Sequence, residues 1–127
     1  MSAITQAAEA NVKPLEGAIL RRGTLGATVT APGPVTMQSD GKWDPTDTSA
    51  AQVTVAIPLQ SGVDGDVVDL VVGGPVVALS GATPGTLVFA SDTAGAFDTA
   101  VGTKDTKIGY AESATVLFVQ PEIIDLS

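Results

Sequence analysis

The sequence predicts an all-β fold, a small β-sandwich or β-barrel with an extended N-terminal arm. Three observations predict it. Fourteen Gly and eight Pro among 127 residues break the chain every few positions, too often for long helices. Between the breaks lie runs of Val, Ile, Leu and Ala with only 4% aromatic residues, so the core is aliphatic and its β-branched members suit a pleated surface. Turn signals then recur about every 8–12 residues through the second half, the spacing of short antiparallel strands.

Residues 1–14, MSAITQAAEANVKP, contain helix-forming alanines, but Pro14 stops a helix and about ten residues are marginal alone. They read as an arm, and deletion of residues 1–22 is expected to leave a folded domain. Short β-prone pieces follow at Ile19–Leu20 and Ala27–Thr30, and the prolines of APGP (31–34) deny ladder hydrogen bonds, which assigns this stretch to an edge or a surface-hugging segment. DPTDTSAA (44–51) reads as a polar loop. From Ala51 the pattern changes: in QVTVAIPLQ, Val53, Val55 and Ile57 alternate with Gln52, Thr54 and Ala56, the period of a half-buried strand. The expected division is an arm and extended edge segment over 1–50 and a β-rich core over 51–127.

Within that core, SGVDGD (61–66) turns the chain into VVDLVVGG, and Gly73-Gly74 before Pro75 marks the tightest hairpin. GGPVVALSG comes next. In GATPGTLVFASDTAG (81–95) the run Leu87, Val88, Phe89 lies between two turn clusters, as a buried strand between tight connections does. After the loop DTAGAFDTAVGTKDT, KIGYAES and ATVLFVQP supply the last two strands.

Charge narrows the partners. The formal net charge is −8, a sign that repels nucleic-acid phosphates. Residues 1–39 are nonetheless net +1, with Lys13, Arg21 and Arg22 against Glu9 and Glu16, which leaves −9 for residues 40–127. No apolar run approaches a membrane span, and the first residues lack the basic and apolar regions of a signal peptide. The expectation is a protein made in the cytoplasm, with neither nucleic acid nor membrane as partner.

The chemistry-bearing residues point away from catalysis. There is no histidine and no cysteine, which removes the commonest general base, the commonest metal ligand and the thiolate nucleophile. Ser80 and Ser113 have no histidine partner and no GxSxG elbow, and no GK[ST] phosphate loop is present. Asp64, Asp66 and Asp69 in VDGDVVDL invite a calcium ion, but the loop lacks the closing Glu of an EF-hand, and Asp-Gly is turn chemistry in its own right. Neither a metal nor a cofactor is expected, and the chain is read as a non-enzyme. Trp43, flanked by Asp40, Asp44 and Asp47, reads either as an interface anchor or as a lid on its own domain. Arg21-Arg22 reads either as solvated charge at a strand end or as a fork that docks on an acidic neighbour.

Four stretches carry a resemblance: Gly65-Asp66, the strand Val71 to Val77, Gly85 to Gly95 with its GTLVFASDTAG pattern, and Ile108 to Val119. Together they resemble the capsid cement, or head decoration, proteins of tailed bacteriophages. The resemblance implies a non-enzymatic β-rich virion protein on the outer surface of the capsid. It binds the major capsid protein, forms a homotrimer at threefold or local threefold positions, and resists internal pressure. A structural module of a phage tail or fibre and a carbohydrate-binding β module are the alternatives. The cations and apolar residues of 1–22 then become the expected shell contact: Ile4, Val12, Lys13, Leu15, Ile19, Leu20, Arg21 and Arg22, with Trp43 next.

Overall fold

The computed structural model describes residues 3–46, 55–91, 93–99 and 106–123. Its strands are β1 (Ala3–Ile4), β2 (Lys13–Pro14), β3 (Ile19–Thr24), β4 (Val35–Met37), β5 (Trp43–Pro45), β6 (Ile57–Pro58), β7 (Val67–Val77), β8 (Leu87–Ala90), β9 (Phe97–Asp98), β10 (Thr106–Ala111) and β11 (Val116–Ile123). A single 3-10 turn, Glu9–Asn11, separates β1 from β2. The fold is all-β, and every strand pairing is antiparallel.

The 11-residue strand β7 organises the molecule. Its first half lies between β3 and β6, and its second half between β2 and β11. The change of partners falls at a bulge, where Ile19 stands opposite Gly73 and Leu20 opposite Val71, which leaves Val72 unpaired. An extra residue bends and twists a strand, and Gly74 completes the bend at φ +91°, where a Cβ would stand 2.6 Å from the carbonyl oxygen of Gly17. The hairpin expected at Gly73-Gly74-Pro75 is therefore corrected to a bend inside one continuous strand. Glycine serves both purposes, because each needs backbone room rather than a reversal.

The second half of β7 belongs to a sheet ordered β1-β9-β8-β10-β11-β7-β2. Its two end strands are consecutive in the chain, and the backbone between them is tied across. On one side Ala3 and Ile4 pair with Asp98 and Phe97. On the other, Gln6 bridges Leu79, the Ala7 N–H donates to Ala78 O at 3.0 Å, and the Ser80 N–H donates to Thr5 O at 3.0 Å. The sheet thus closes into a barrel, with the first described residues as its seam. Residues 13–24 continue along the same edge of β7, from Lys13 opposite Val77 to Thr24 opposite Val67. The segment expected as an arm is a structural part of the barrel. Its strands are too short to show periodicity, and the partners that hold them lie far along the sequence. The boundary expected at residue 51 falls outside the described residues.

Two apolar clusters fill the fold. The larger lies within the barrel and includes Ile57, Val71, Val76, Leu79, Val88, Phe97, Ile108, Leu117 and Val119. The smaller is made by Leu25, Val29, Val35, Trp43, Ala56, Val68 and Leu70, under the β4–β5 hairpin. Burying a side chain of this size stabilises by roughly 1.5–3 kcal/mol. Four of these seven residues, Leu25, Val29, Val35 and Trp43, come before residue 50, so that region also helps to build a core. The expected strand at 87–90 is present as β8, bounded by turns closed by Thr86 N–H to Thr83 O and Ala96 N–H to Thr93 O. Val88 and Phe89 are buried there, while Leu87 faces outward.

Candidate interaction surface

The basic residues expected at a contact gather along one edge. On β3, Ile19 and Leu20 are 60% and 49% exposed, and Arg21 and Arg22 are exposed beside them. Arg22 Nε lies 3.3 Å from Asp69 Oδ1, its cross-strand neighbour on β7, and both side chains remain largely in solvent. An exposed pair of this kind is worth under about 1 kcal/mol. Arg21 has no ion-pair partner among the described residues. Lys13 is exposed further along the same edge of β7.

β3 bonds β7 on one side only. Among the described residues, no backbone hydrogen bond outside the β3–β7 ladder involves Ile19 through Thr24. Beyond Thr24 the outer edge is taken up: Leu25 bridges Trp43 in parallel, and the Gly26 N–H donates to Trp43 O at 2.9 Å. The small residue at 23 is explained by the same neighbour, since a Cβ on Gly23 would run into the Trp43 indole and Leu70.

The other expected contact residues are placed differently. Trp43 is 7% exposed and belongs to the smaller core, so it packs within its own domain and is not an interface anchor. The polar residues around it in sequence are the turn and flanks of the hairpin that carries it inward. Ile4 and Val12 pack against the larger core, and Leu15 is half-buried with its N–H on Pro75 O at 3.1 Å. Burial corrects Trp43 as a contact, Ile4, Val12 and Leu15 are half-buried, and Lys13, Ile19, Leu20, Arg21 and Arg22 lie on the surface.

Asp64, Asp66 and Asp69 do not converge. Asp64 pairs with Lys42 at 3.2 Å, Asp66 accepts the Val63 N–H at 2.9 Å, and Asp69 faces Arg22. Among the described residues no group of three acidic side chains is arranged to hold a metal ion. Asp47 lies outside the described residues. Three grooves of ≈ 490, ≈ 200 and ≈ 140 Å³ contain a single titratable side chain between them, Lys13, in the first.

An outward apolar row was not read from the sequence. Leu87 pairs with Tyr110, Tyr110 with Phe118, Phe118 with Pro75, and two residues back along β7 Gly73 pairs with Ile19. The Tyr110 and Phe118 rings stack at 5.4 Å between centroids. The signal lay in the alternation of TVLFVQ, which puts Phe118 on the face opposite Leu117 and Val119.

One acid is tuned by the fold. Glu9 takes hydrogen bonds from the backbone N–H of Ser61, at 2.9 Å, and from its hydroxyl, which hold the carboxyl below its ordinary 4.5. The Ser61 hydroxyl also accepts the Ala31 N–H at 2.9 Å. A folded-state value below the unfolded one stabilises at pH above 4.5 and ceases to do so as pH falls through the folded value. Glu9→Gln is expected to lower the melting temperature at pH 7, and the difference from the parent is expected to shrink and vanish as acidification protonates the folded-state carboxyl. Parallel curves across that acidification would remove this assignment.

No protein-family model matches this sequence, and no curated protein is similar to it at a significant level.

Proposed function

We propose that this protein is a structural, non-catalytic decoration subunit. It binds the outside of a tailed-phage head shell through the major capsid protein, associates in threes, and braces the shell against internal pressure. The observation that carries the reading is the placement of the motif stretches. Gly65-Asp66 opens β7, and the others fall on β7, β8, β10 and β11, which are consecutive neighbours in the order β8-β10-β11-β7. Residues that resemble one family in sequence thus form one contiguous half of the barrel. The exposed basic edge and outward apolar row support a binding role, and the grooves described above hold no acid.

Shell contact is assigned to the exposed edge: Lys13, Ile19, Leu20, Arg21 and Arg22. The test is co-sedimentation with immature and expanded head shells of its own phage, followed by imaging of the decorated particle. Saturable binding with density at threefold or local threefold positions is expected. Absence of binding, or single copies away from any symmetry axis, would overturn the proposal.

A further inference from the structure

We infer that the outer edge of β3 is a strand-addition site for an extended protein segment with two adjacent carboxylates followed by two apolar residues. The partner runs antiparallel to β3. The inference goes beyond the decoration reading and does not require the partner to be a capsid protein.

An edge strand presents a row of unpaired N–H and C=O groups and is a ready template for another strand. Alternate residues of β3, ILRRGT, turn their N–H and C=O groups to this outer edge, and none of the six has a backbone partner beyond β7 among the described residues. Main-chain hydrogen bonds supply the affinity in this mode, and alternate side chains supply the choice of partner.

The side chains specify the chemistry. Arg21 and Arg22 are consecutive and so point to opposite faces of the strand. A partner must therefore answer with two consecutive acids, one per face, because opposite charges directly across a ladder attract and like charges repel. Ile19 and Leu20 precede the arginines, so in an antiparallel partner the residues facing them follow the acids. The pattern along the partner is acid-acid-apolar-apolar. On one face the added strand would extend the row that runs from Leu87 through Tyr110, Phe118 and Pro75 to Ile19.

Charge also selects among occupants. Two copies of β3 pairing edge to edge about a twofold axis would bring four arginines together, which disfavours a second copy. A polyanion such as nucleic acid would meet a molecule of net charge −8. A short acidic segment meets the cations without that long-range cost, since fields beyond about 8 Å are screened at physiological salt.

The test uses the full chain and two short synthetic peptides of equal composition, one centred on Glu-Glu-Val-Ile and the other on the reversed order Ile-Val-Glu-Glu. Amide hydrogen exchange and chemical shifts are followed by NMR. The first peptide is expected to bind more tightly and to slow exchange at residues 19–24. The double variant R21E/R22E is expected to bind it about tenfold or more weakly, as two attractive pairs become repulsive. The same variant is expected to bind a Lys-Lys-Val-Ile peptide with slowed exchange confined to residues 19–24, an outcome that a misfolded chain cannot give. The proposal is overturned if neither peptide binds, or if binding leaves exchange at 19–24 unchanged. It is equally overturned if the variant gains no lysine peptide, or if the chain alone protects these amides as its concentration rises, which would make a second copy the occupant.

Discussion

A chain beginning at residue 23 is expected to lose cooperative unfolding altogether. The deletion removes β1 and β2 and most of β3, and with them the seam of the barrel and one edge of β7. The ladder from Lys13 to Arg22 and the bonds of Thr5 and Ala7 disappear together, each hydrogen bond worth about 1 kcal/mol net. Ile4, Val12 and Ala18 leave the surface of the larger core, which then meets water. The combined loss is roughly 5–10 kcal/mol, comparable to the whole stability of a domain of this size, about 5–15 kcal/mol. Heat-capacity and far-UV circular dichroism melts check this. A sharp transition within a few degrees of the full chain would show that the segment is an appendage after all.

Trp43→Ala is expected to cost about 3–5 kcal/mol, the range for truncating a buried aromatic. At about 4 °C per kcal/mol this lowers the melting temperature by roughly 12–20 °C. The indole lies against Gly23 and shares its cluster with Leu25, Val29, Val35 and Leu70, so its removal leaves a cavity lined on several sides. Arg21→Ala is the control, because an exposed side chain with no ion-pair partner among the described residues changes stability by under about 0.5 kcal/mol. Equal melting temperatures for the two variants would place Trp43 at the surface.

Much of the β-rich half was legible because its signals are local. β8, β10 and β11 are each bounded by turn residues within a few positions, and alternation or a short apolar run marks each one. The Gly73-Gly74-Pro75 stretch was misleading because a bulge and a hairpin use the same residues, and only the partners of β7 on both sides decide between them. Residues 1–14 read as an arm because β1 and β2 are two residues each, set among alanines and a proline, while the partners of residues 3–14 lie at 76–80 and 97–98. Trp43 was hidden by its neighbours: Asp40 serves the hairpin turn by accepting the Lys42 N–H at 2.9 Å, and nothing in the local pattern shows that the ring points inward. The basic edge was legible from charge alone. The aromatic row was not, since it exists only through the registers of neighbouring strands.

The barrel seam sets the order in which the molecule assembles. Gln6 Nε2 donates to Gly95 O across 89 positions, and β1 waits for Phe97 and Asp98. Contacts of such separation form slowly, because the loop between them loses its freedom before the pairing rewards it. During synthesis at about 5–20 residues per second, the first residues stay without their full set of partners for roughly 5–20 s. For that interval the nascent chain exposes the inner face of the unfinished barrel, and this is when chaperone binding or misassociation with another nascent copy has its opportunity.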